Sequence, residues 1–263
     1  MCTIGAILLS CDEYLLFKNK DFGQTDFEER VAYSPSLFGA LGVESFDRTD
    51  DSPVVFSGLS IGANEHGLLC CDAHVDFKPD GGKNYDLLVE IALTKGRDVP
   101  TALVALEDYL SQTPTWAGNL VLTDGTETAC VEARGTEMCV QRSDRFVSKC
   151  NHQDLFETGN APASESSQHR FQSSQQQLNS VENLNDVFAL LKSHGSGNTG
   201  ICNHLEGRRT VYSYVLHVKR GDTVLYVAKG QPCTLSGYQK FPLPFSEAWT
   251  DTDTDLLFAT YPR

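Results

Sequence analysis

The chain opens with three stretches that decide its fold, which are MCTIGAILL (residues 1–9), SCDE (10–13) and YLLFKNKD (14–21). Two mainly apolar runs with a short polar break predict a β-hairpin. With the turn near residues 11 and 12, antiparallel pairing places Cys2 opposite Asp21, within about two residues. The sequence therefore predicts a thiol at the start of the chain that faces a carboxylate.

A cysteine in second position has a specific chemical potential. A thiol needs a base or a lowered pKa to attack a carbonyl. If Met1 is removed, as is usual before a small residue, Cys2 carries its own α-amino group. That group titrates near pH 7.7–8.0 in model peptides, so part of it is unprotonated and can act as a base near neutral pH. One residue then supplies nucleophile and base. The alternative is that Cys2 is a small apolar residue at the start of a buried strand, because free cysteines are often buried.

Composition and charge narrow the classes of protein. The chain has 263 residues, of which 40% are hydrophobic and 21% charged, as in ordinary globular proteins. No internal repeat or linker is visible, so we expect one domain over residues 1–263. The net charge of −14 comes from 35 acidic and 21 basic residues and argues against nucleic-acid or membrane partners.

Targeting signals and cysteine usage indicate the compartment. The first apolar run lacks a basic segment before it and ends at Ser10, which is too short for a signal peptide. The nine cysteines include the adjacent pair Cys70 and Cys71, which is not typical of a disulfide framework. We therefore expect a cytoplasmic protein.

The order of the remaining elements predicts an α+β fold. A second hairpin spans 54–76, and apolar residues at helical spacing predict helices at 85–94, 99–111 and 183–193, with another after a loop in 154–177. Further strands are predicted at 118–124, 128–134, 137–143, 146–152, 210–218, 223–228 and 234–241. We expect 31–53 to be irregular and the acidic tail after Trp249 to be frayed. Strands and helices are segregated rather than alternating, which favours α+β layers.

Short motifs in a fixed order suggest a family. They are MCT (1–3), KNKD (18–21), ANEHGL (63–68), CNH (150–152), SQHRF (167–171) and GQPC (230–233) followed by Tyr238. In this order they resemble the N-terminal-nucleophile cysteine hydrolases of the choloylglycine hydrolase group and the related penicillin acyltransferase-like proteins. The resemblance implies a four-layer αββα sandwich, in which two stacked antiparallel sheets are covered by helices.

The resemblance also implies catalytic roles. Cys2 would be the nucleophile and Asp21 would contact its α-amino group. Asn151 would donate its side-chain amide to the oxyanion of the tetrahedral intermediate, and Arg170 would lie near the thiol and favour its thiolate. Without the resemblance, Asn151 reads as a turn cap, Arg170 as a surface helix residue and Asp21 as the end of a strand.

Three further positions are assigned in the same way, and two of them depart from the family pattern. Lys18 stands where the bile-salt branch usually carries arginine, and it keeps the charge without the bidentate fork. Lys18 and Asn64 are the predicted substrate-binding residues. His74, ten residues after Asn64, stands where many relatives carry a second asparagine of the oxyanion hole, so we expect its backbone N–H to serve the oxyanion hole instead.

A repeated tripeptide offers a competing reading. Cys-Asn-His occurs at 150–152 and again at 202–204, and two cysteines with two histidines are a ligand set for zinc. The one-residue gap inside each pair is tighter than the usual spacing of about two to four residues. We therefore expect no metal site and no other cofactor.

The expected activity is hydrolysis of a non-peptide C–N bond in a small N-acyl compound, through an acyl-thioester on Cys2. One alternative is an acyltransferase that moves the acyl group to an amine, and another is a catalytically silent binding protein on the same scaffold. The expected partner is a small-molecule N-acyl substrate. The sequence leaves homo-oligomer formation open.

Overall fold

The opening hairpin forms as predicted and lies at the centre of a sheet. A computed structural model describes residues 1–23, 28–43, 56–77, 81–157, 159–160, 162–195 and 200–263. The strands are β1 (Cys2–Ser10), β2 (Glu13–Phe22), β3 (Val31–Ser34), β4 (Leu37–Val43), β5 (Phe56–Asn64), β6 (Leu69–His74), β7 (Thr115–Thr123), β8 (Thr128–Gly135), β9 (Glu137–Ser143), β10 (Phe146–Lys149), β11 (Arg209–Lys219), β12 (Asp222–Lys229) and β13 (Gln239–Pro242). The helices are α1 (Asp86–Lys95), α2 (Val99–Leu110), α3 (Glu165–Leu178), α4 (Leu184–Lys192) and α5 (Asp251–Leu257). Among these described elements, no helix has the length and apolar character needed to cross a membrane.

The strands form two antiparallel sheets. The first has six strands in the order β10-β1-β2-β11-β12-β13, and the second has seven in the order β3-β4-β5-β6-β7-β8-β9. Because β1 and β2 are interior strands of the first sheet, the backbone of the opening hairpin is hydrogen-bonded on both sides.

Three apolar layers show how the sheets and helices stack. One cluster joins the two sheets and includes Ile4, Leu16 and Val121. A second cluster packs α1 and α2 against the seven-stranded sheet, and a third packs α3 and α4 against the six-stranded sheet. Each sheet therefore has one face on the other sheet and one face on helices, which is the predicted four-layer αββα arrangement.

The register of the hairpin differs by one residue from direct pairing of Cys2 with Asp21. Cys2 pairs with Lys20, and Thr3 pairs with Asn19. Because side chains alternate between faces, Cys2 lies on the inner face between the sheets, whereas Asp21 lies on the outer face toward the helices. The prediction that the thiol faces this carboxylate is therefore wrong, although the pairing falls within the two-residue range allowed for it.

The stretch predicted to be irregular contains a hairpin. Strands β3 and β4 pair through residues 31–40, and Phe38, Ala40 and Val43 are buried. Sequence propensity did not predict β4 because the strand contains two glycines, which have low strand propensity. A Cβ at Gly39 would lie 2.5 Å from the side chain of Leu59, so the close approach of the neighbouring strand requires glycine. Residues 44–53 of the predicted irregular stretch lie outside the described residues.

Two strands near the ends of the sheets also differ from expectation. Strand β10 does not continue the meander of β7, β8 and β9, since it crosses to the first sheet and pairs with β1. The strand predicted at 234–241 is a 3-10 turn (Pro232–Thr234) followed by the short β13. Periodicity predicts that a segment is extended, but it does not specify the partner strand.

The acidic tail is a capped helix rather than a frayed end. The side chain of Thr250 accepts a hydrogen bond from the backbone of Asp253, whose own side chain accepts one from the backbone of Thr250. Phe258, just after α5, is buried and stacks on Phe38 and Phe241. Aromatic burial therefore holds the C-terminal segment on the body of the protein.

Candidate active site

Cys2 lies on the wall of a cavity at one end of the sandwich. The cavity has a volume of about 260 Å³ and is lined by residues from the beginning of β1, the end of β2, the end of β6 and the segment after β10. Its lining includes Cys2, Asp21, His74 and Asn151. Cys2 is 3% exposed, and among the described residues its side of the sandwich opens to this cavity.

Asn151 connects three parts of this site. Its Oδ1 accepts a hydrogen bond from the backbone N–H of Cys2 at 2.8 Å, and its Nδ2 donates to the carbonyl oxygen of His74 at 2.7 Å. Its backbone N–H donates to Oγ of Ser167 at 2.9 Å. The side-chain amide is therefore held at both ends, with its oxygen toward the start of β1.

Arg170 supports the same group from the helix layer. Its side chain is almost fully buried, and its Nη2 donates to Oδ1 of Asn151 at 2.8 Å. Its Nη1 donates to the carbonyl oxygen of Cys2 and to Oγ1 of Thr3. The structure therefore places the guanidinium against the backbone of Cys2 and against Asn151, rather than in a hydrogen bond to the thiol.

Asp21 lies behind the N-terminus on the outer face of the sheet. Its carboxylate accepts hydrogen bonds from Oγ1 of Thr210 at 2.8 Å and from Nδ2 of Asn203 at 3.0 Å. Its backbone exchanges two hydrogen bonds with Met1, at 2.7 and 3.1 Å. Burial raises the pKa of Asp21, and the positive charges of the N-terminus and of Arg170 oppose that rise.

Lys18 lies on the same face as Cys2 but does not line the cavity. Its Nζ donates to both oxygens of Ser60 and to Oδ1 of Asp72 at 2.7 Å. Burial acts to lower the pKa of Lys18, but the charge of Asp72 and the nearby thiols raise it overall. The ammonium thus makes three internal contacts, and the structure gives no contact from it into the cavity.

Asn64 is the last residue of β5 and does not line the cavity. Its Nδ2 donates to the carbonyl oxygens of Leu93 and Gly96, and its Oδ1 accepts from the backbone of His66 and Leu68. The first two hydrogen bonds join the hairpin to the end of α1, and the other two close the hairpin turn. The structure therefore gives Asn64 a turn-forming position rather than one at the predicted substrate site.

His74 ends β6 at the edge of the cavity. Its carbonyl oxygen accepts the hydrogen bond from Asn151, and its ring lies 5.6 Å from the ring of Tyr85. In this contact the backbone of His74 accepts a hydrogen bond through its carbonyl oxygen, whereas the sequence predicted a backbone N–H donor.

Sequence reasoning missed two residues that hold the site together. Asn119 is fully buried in β7, and its Nδ2 donates to the carbonyl oxygens of Cys150 and His152 at 2.9 and 2.8 Å. Ser167 bonds to the backbone of Asn151 and to Nδ1 of His152. Asn119 left a signal, because a polar side chain within an apolar strand has to find partners.

The two Cys-Asn-His tripeptides do not form one cluster. The thiol of Cys150 contacts Oγ1 of Thr3, and burial raises its pKa, whereas His152 bonds to Ser167. Cys202 and His204 lie together elsewhere. The four residues of the repeat are thus divided between two places.

Comparison with known proteins shows the fold and leaves the family undetermined. No protein-family model and no curated sequence matches the chain. Similar solved structures include a mutant of conjugated bile acid hydrolase from Clostridium perfringens, with a TM-score of 0.60, 12% identity and 94% of each chain covered. Penicillin V acylase from Agrobacterium tumefaciens has a TM-score of 0.57 and 14% identity, with 95% of this chain and 89% of that chain covered. The Caenorhabditis elegans ortholog of N-acylethanolamine-hydrolyzing acid amidase has a TM-score of 0.54 and 11% identity, with 90% and 95% covered. The chain therefore has the αββα fold of the N-terminal-nucleophile hydrolases.

Proposed function

We propose that this protein is an amidohydrolase that cleaves the C–N bond of a small N-acyl compound, with Cys2 as its nucleophile after removal of Met1. The observation that carries this function is the position of Asn151, whose amide lies between the backbone N–H of Cys2 and the carbonyl of His74 beside the cavity. An asparagine amide has two N–H donors, of which one is used by His74. The other is the proposed oxyanion donor.

The first half of the reaction acylates Cys2. The α-amino group takes the thiol proton while Sγ attacks the substrate carbonyl carbon, so a C–S bond forms and the carbonyl oxygen becomes an oxyanion. The second N–H of Asn151 stabilises that oxyanion by about 3–4 kcal/mol relative to its absence. When the intermediate collapses, the C–N bond breaks and the proton on the α-amine passes to the leaving amine.

The second half releases the acyl group. The α-amine, again neutral, takes a proton from a water molecule that attacks the thioester carbonyl. The C–S bond then breaks, the acid leaves, and the proton returns to the sulfur. If an amine attacks in place of water, the same steps give acyl transfer.

The neighbouring charges have supporting roles in this scheme. Arg170 donates to Asn151 Oδ1 and to the carbonyl of Cys2, which fixes both groups relative to each other. Asp21 lies close enough to the N-terminus for their charges to interact, and we propose that it orients the α-amine. His74 would then position Asn151 through its carbonyl oxygen.

The cavity lining favours an acyl compound with an apolar part. Phe22, Val75 and Phe77 contribute apolar surface, whereas Arg134 and Arg208 add positive charge to the same lining. The structural neighbours are named for conjugated bile acids, penicillin V and N-acylethanolamines. We propose a small N-acyl substrate of this general kind. We also propose that the protein acts in the cytoplasm, where its nine free thiols would stay reduced.

The test combines intact mass measurement with trapping of the acyl-enzyme. We expect the purified protein to lack Met1. After incubation with compounds from those three substrate classes and a rapid acid quench, we expect an acyl adduct on the N-terminal peptide. Cys2→Ala should lose both adduct and turnover, whereas Cys11→Ala, at the exposed hairpin turn, should keep both.

Two outcomes would redirect the assignment. Product that contains an added amine would establish acyl transfer instead of hydrolysis. A protein that retains Met1, whose ammonium bonds to the backbone of Asp21, would lack the proposed base, and a silent binding function on this scaffold would then be favoured.

A further inference from the structure

Four side chains with metal-ligating atoms meet behind the six-stranded sheet. They are His194, Cys202, His204 and Cys233, whose ligand atoms all lie within 4.8 Å of one another. We propose that they form a structural zinc site of the Cys2His2 type. None of them lines the cavity beside Cys2, so this proposal does not rest on the proposed amidohydrolase activity.

Four of the six distances between the ligand atoms are close to those around one tetrahedral ion, and the other two, from His194 to the sulfurs, are no longer than 4.8 Å. The structure gives 3.4 Å between the two Sγ atoms, 3.1 Å between the two Nε2 atoms, and 3.2 and 3.6 Å from His204 Nε2 to the sulfurs. A tetrahedron with Zn–S near 2.3 Å and Zn–N near 2.0–2.1 Å has edges of roughly 3.8 Å (S to S), 3.6 Å (S to N) and 3.4 Å (N to N). Each of these four distances lies within about half an ångström of its counterpart, so side-chain movements, mainly of the exposed His194, would accommodate the ion.

The chemistry of the donors selects zinc. Two thiolates and two neutral imidazoles are the ligands of closed structural zinc sites, and the two thiolates neutralise the charge of the ion. Cys202 is buried, Cys233 and His204 are partly buried, and His194 closes the group from the solvent side. These four side chains would fill all four coordination positions of a tetrahedral zinc ion, as in a structural site.

The fold brings the ligands from three separate segments. His194 follows α4, Cys202 and His204 follow on the next described segment, and Cys233 lies in the 3-10 turn before β13. The backbone N–H of Cys202 donates to the carbonyl of Ser193 at 2.9 Å, which fixes the first two segments together. A bound ion would thus join the end of α4 to the end of β12.

One residue, Asn203, connects the proposed zinc site to Asp21. Asn203, between Cys202 and His204, donates to Asp21 Oδ2 at 3.0 Å. The proposed ion would therefore immobilise the segment that supports Asp21. This contact explains how a structural metal would lie near the active site without taking part in the reaction.

The test is metal analysis of the full chain, produced without a polyhistidine tag, in zinc-supplemented medium and under a reducing agent. We expect one zinc ion per chain. Cys233→Ser and His204→Asn should each lose most of the zinc, whereas Cys139→Ser and the exposed His169→Asn should keep it. Replacement by Co²⁺ should give the thiolate-to-cobalt charge-transfer band in the wild type and a weaker band in Cys233→Ser.

A measurement on the wild type alone guards against variants that fail to fold. Zinc should slow alkylation of Cys202 and Cys233, but not of the exposed Cys11, and a chelator should remove that protection. Wild-type protein without bound zinc or a cobalt spectrum would overturn the assignment. So would zinc that survives both ligand substitutions, or a Cys202–Cys233 disulfide that persists under the reducing agent in zinc-free protein.

Discussion

Asn151 accepts a hydrogen bond from the backbone N–H of Cys2, a residue 149 positions earlier in the chain, at 2.8 Å. The same oxygen accepts from Arg170, so two donors determine which end of the amide points to β1. The amide nitrogen is thereby turned toward His74 and the cavity. This arrangement separates two functions of one side chain, because its oxygen holds the site and its nitrogen would act on the substrate.

That separation can be tested with Asn151→Asp. The aspartate keeps an oxygen for Cys2 and Arg170 but has no N–H for the oxyanion, so we expect a folded protein whose kcat falls by about 10²–10³. Asn151→Ala should lose a similar factor in kcat and also some thermal stability. Steady-state kinetics and thermal unfolding of both variants provide the measurement.

The control for this pair is Asn179→Asp, at the exposed end of α3, which should leave kcat unchanged. If Asn151→Asp retained wild-type kcat, the amide would not be the oxyanion donor.

A second prediction concerns the buried ion pair between Lys18 and Asp72. The two side chains are 1% and 3% exposed, and their charged atoms lie 2.7 Å apart. Lys18→Met leaves the Asp72 carboxylate buried without its counterion, and we expect the free energy of unfolding to fall by about 3–5 kcal/mol. Chemical denaturation gives this difference directly.

The double variant Lys18→Met with Asp72→Asn removes both charges and should recover most of that loss. Equal stability of the single and double variants would show that the loss came from packing and not from the unpaired carboxylate.

A third prediction uses the pH dependence of stability. Burial, followed by the charge of Asp72, raises the pKa of Asp86 well above that of an exposed carboxyl. The folded protein therefore keeps a proton that the unfolded chain loses near pH 3.9. Between the unfolded and the folded pKa, the free energy of unfolding falls by about 1.4 kcal/mol per pH unit. The contribution is complete below the unfolded pKa and disappears as the pH rises through the folded pKa.

Asp86→Asn does not titrate. Relative to the wild type, its free energy of unfolding should rise steadily from acidic pH toward neutral pH, as measured by denaturation at a series of pH values. The exposed Asp255→Asn should follow the wild-type profile. Parallel profiles for Asp86→Asn and the wild type would rule out a shifted carboxyl at this position.

A fourth prediction concerns the C-terminal segment. Phe258 is 3% exposed and its ring lies 5.8 Å from that of Phe38 and 5.6 Å from that of Phe241. We expect Phe258→Ala to lower the free energy of unfolding by about 3–5 kcal/mol, because it leaves a cavity in this aromatic cluster. Leu256→Ala, two residues earlier and 71% exposed, should change it by less than about 0.5 kcal/mol. Similar small effects from both would mean that the tail does not contribute to the core.

Local pattern in the sequence was enough for most elements. The apolar runs on either side of residues 11 and 12 predicted β1 and β2, and the helical spacing of residues 85–111 predicted α1 and α2 within a residue or two. Both signals depend on neighbours less than about ten residues apart, so no knowledge of distant contacts is needed. Strand β4 and helix α5 were missed because the glycines of β4 and the aspartates of α5 have low intrinsic propensity for these structures. Packing stabilises β4 and capping stabilises α5 despite that low propensity.

The sequence by itself determined the chemical groups: a cysteine in second position, an aspartate at the end of the next strand, and the motifs whose order resembles a known family. The tertiary structure alone decided which groups meet. It shifted the hairpin register by one residue, so that Cys2 and Asp21 lie on opposite faces, and it engaged Lys18 and Asn64 in internal contacts. It also paired Cys202 and His204 with His194 and Cys233 instead of with the other half of their repeat. The physical reason is that side-chain contacts between distant segments depend on strand order and register, which long-range packing sets and local sequence does not.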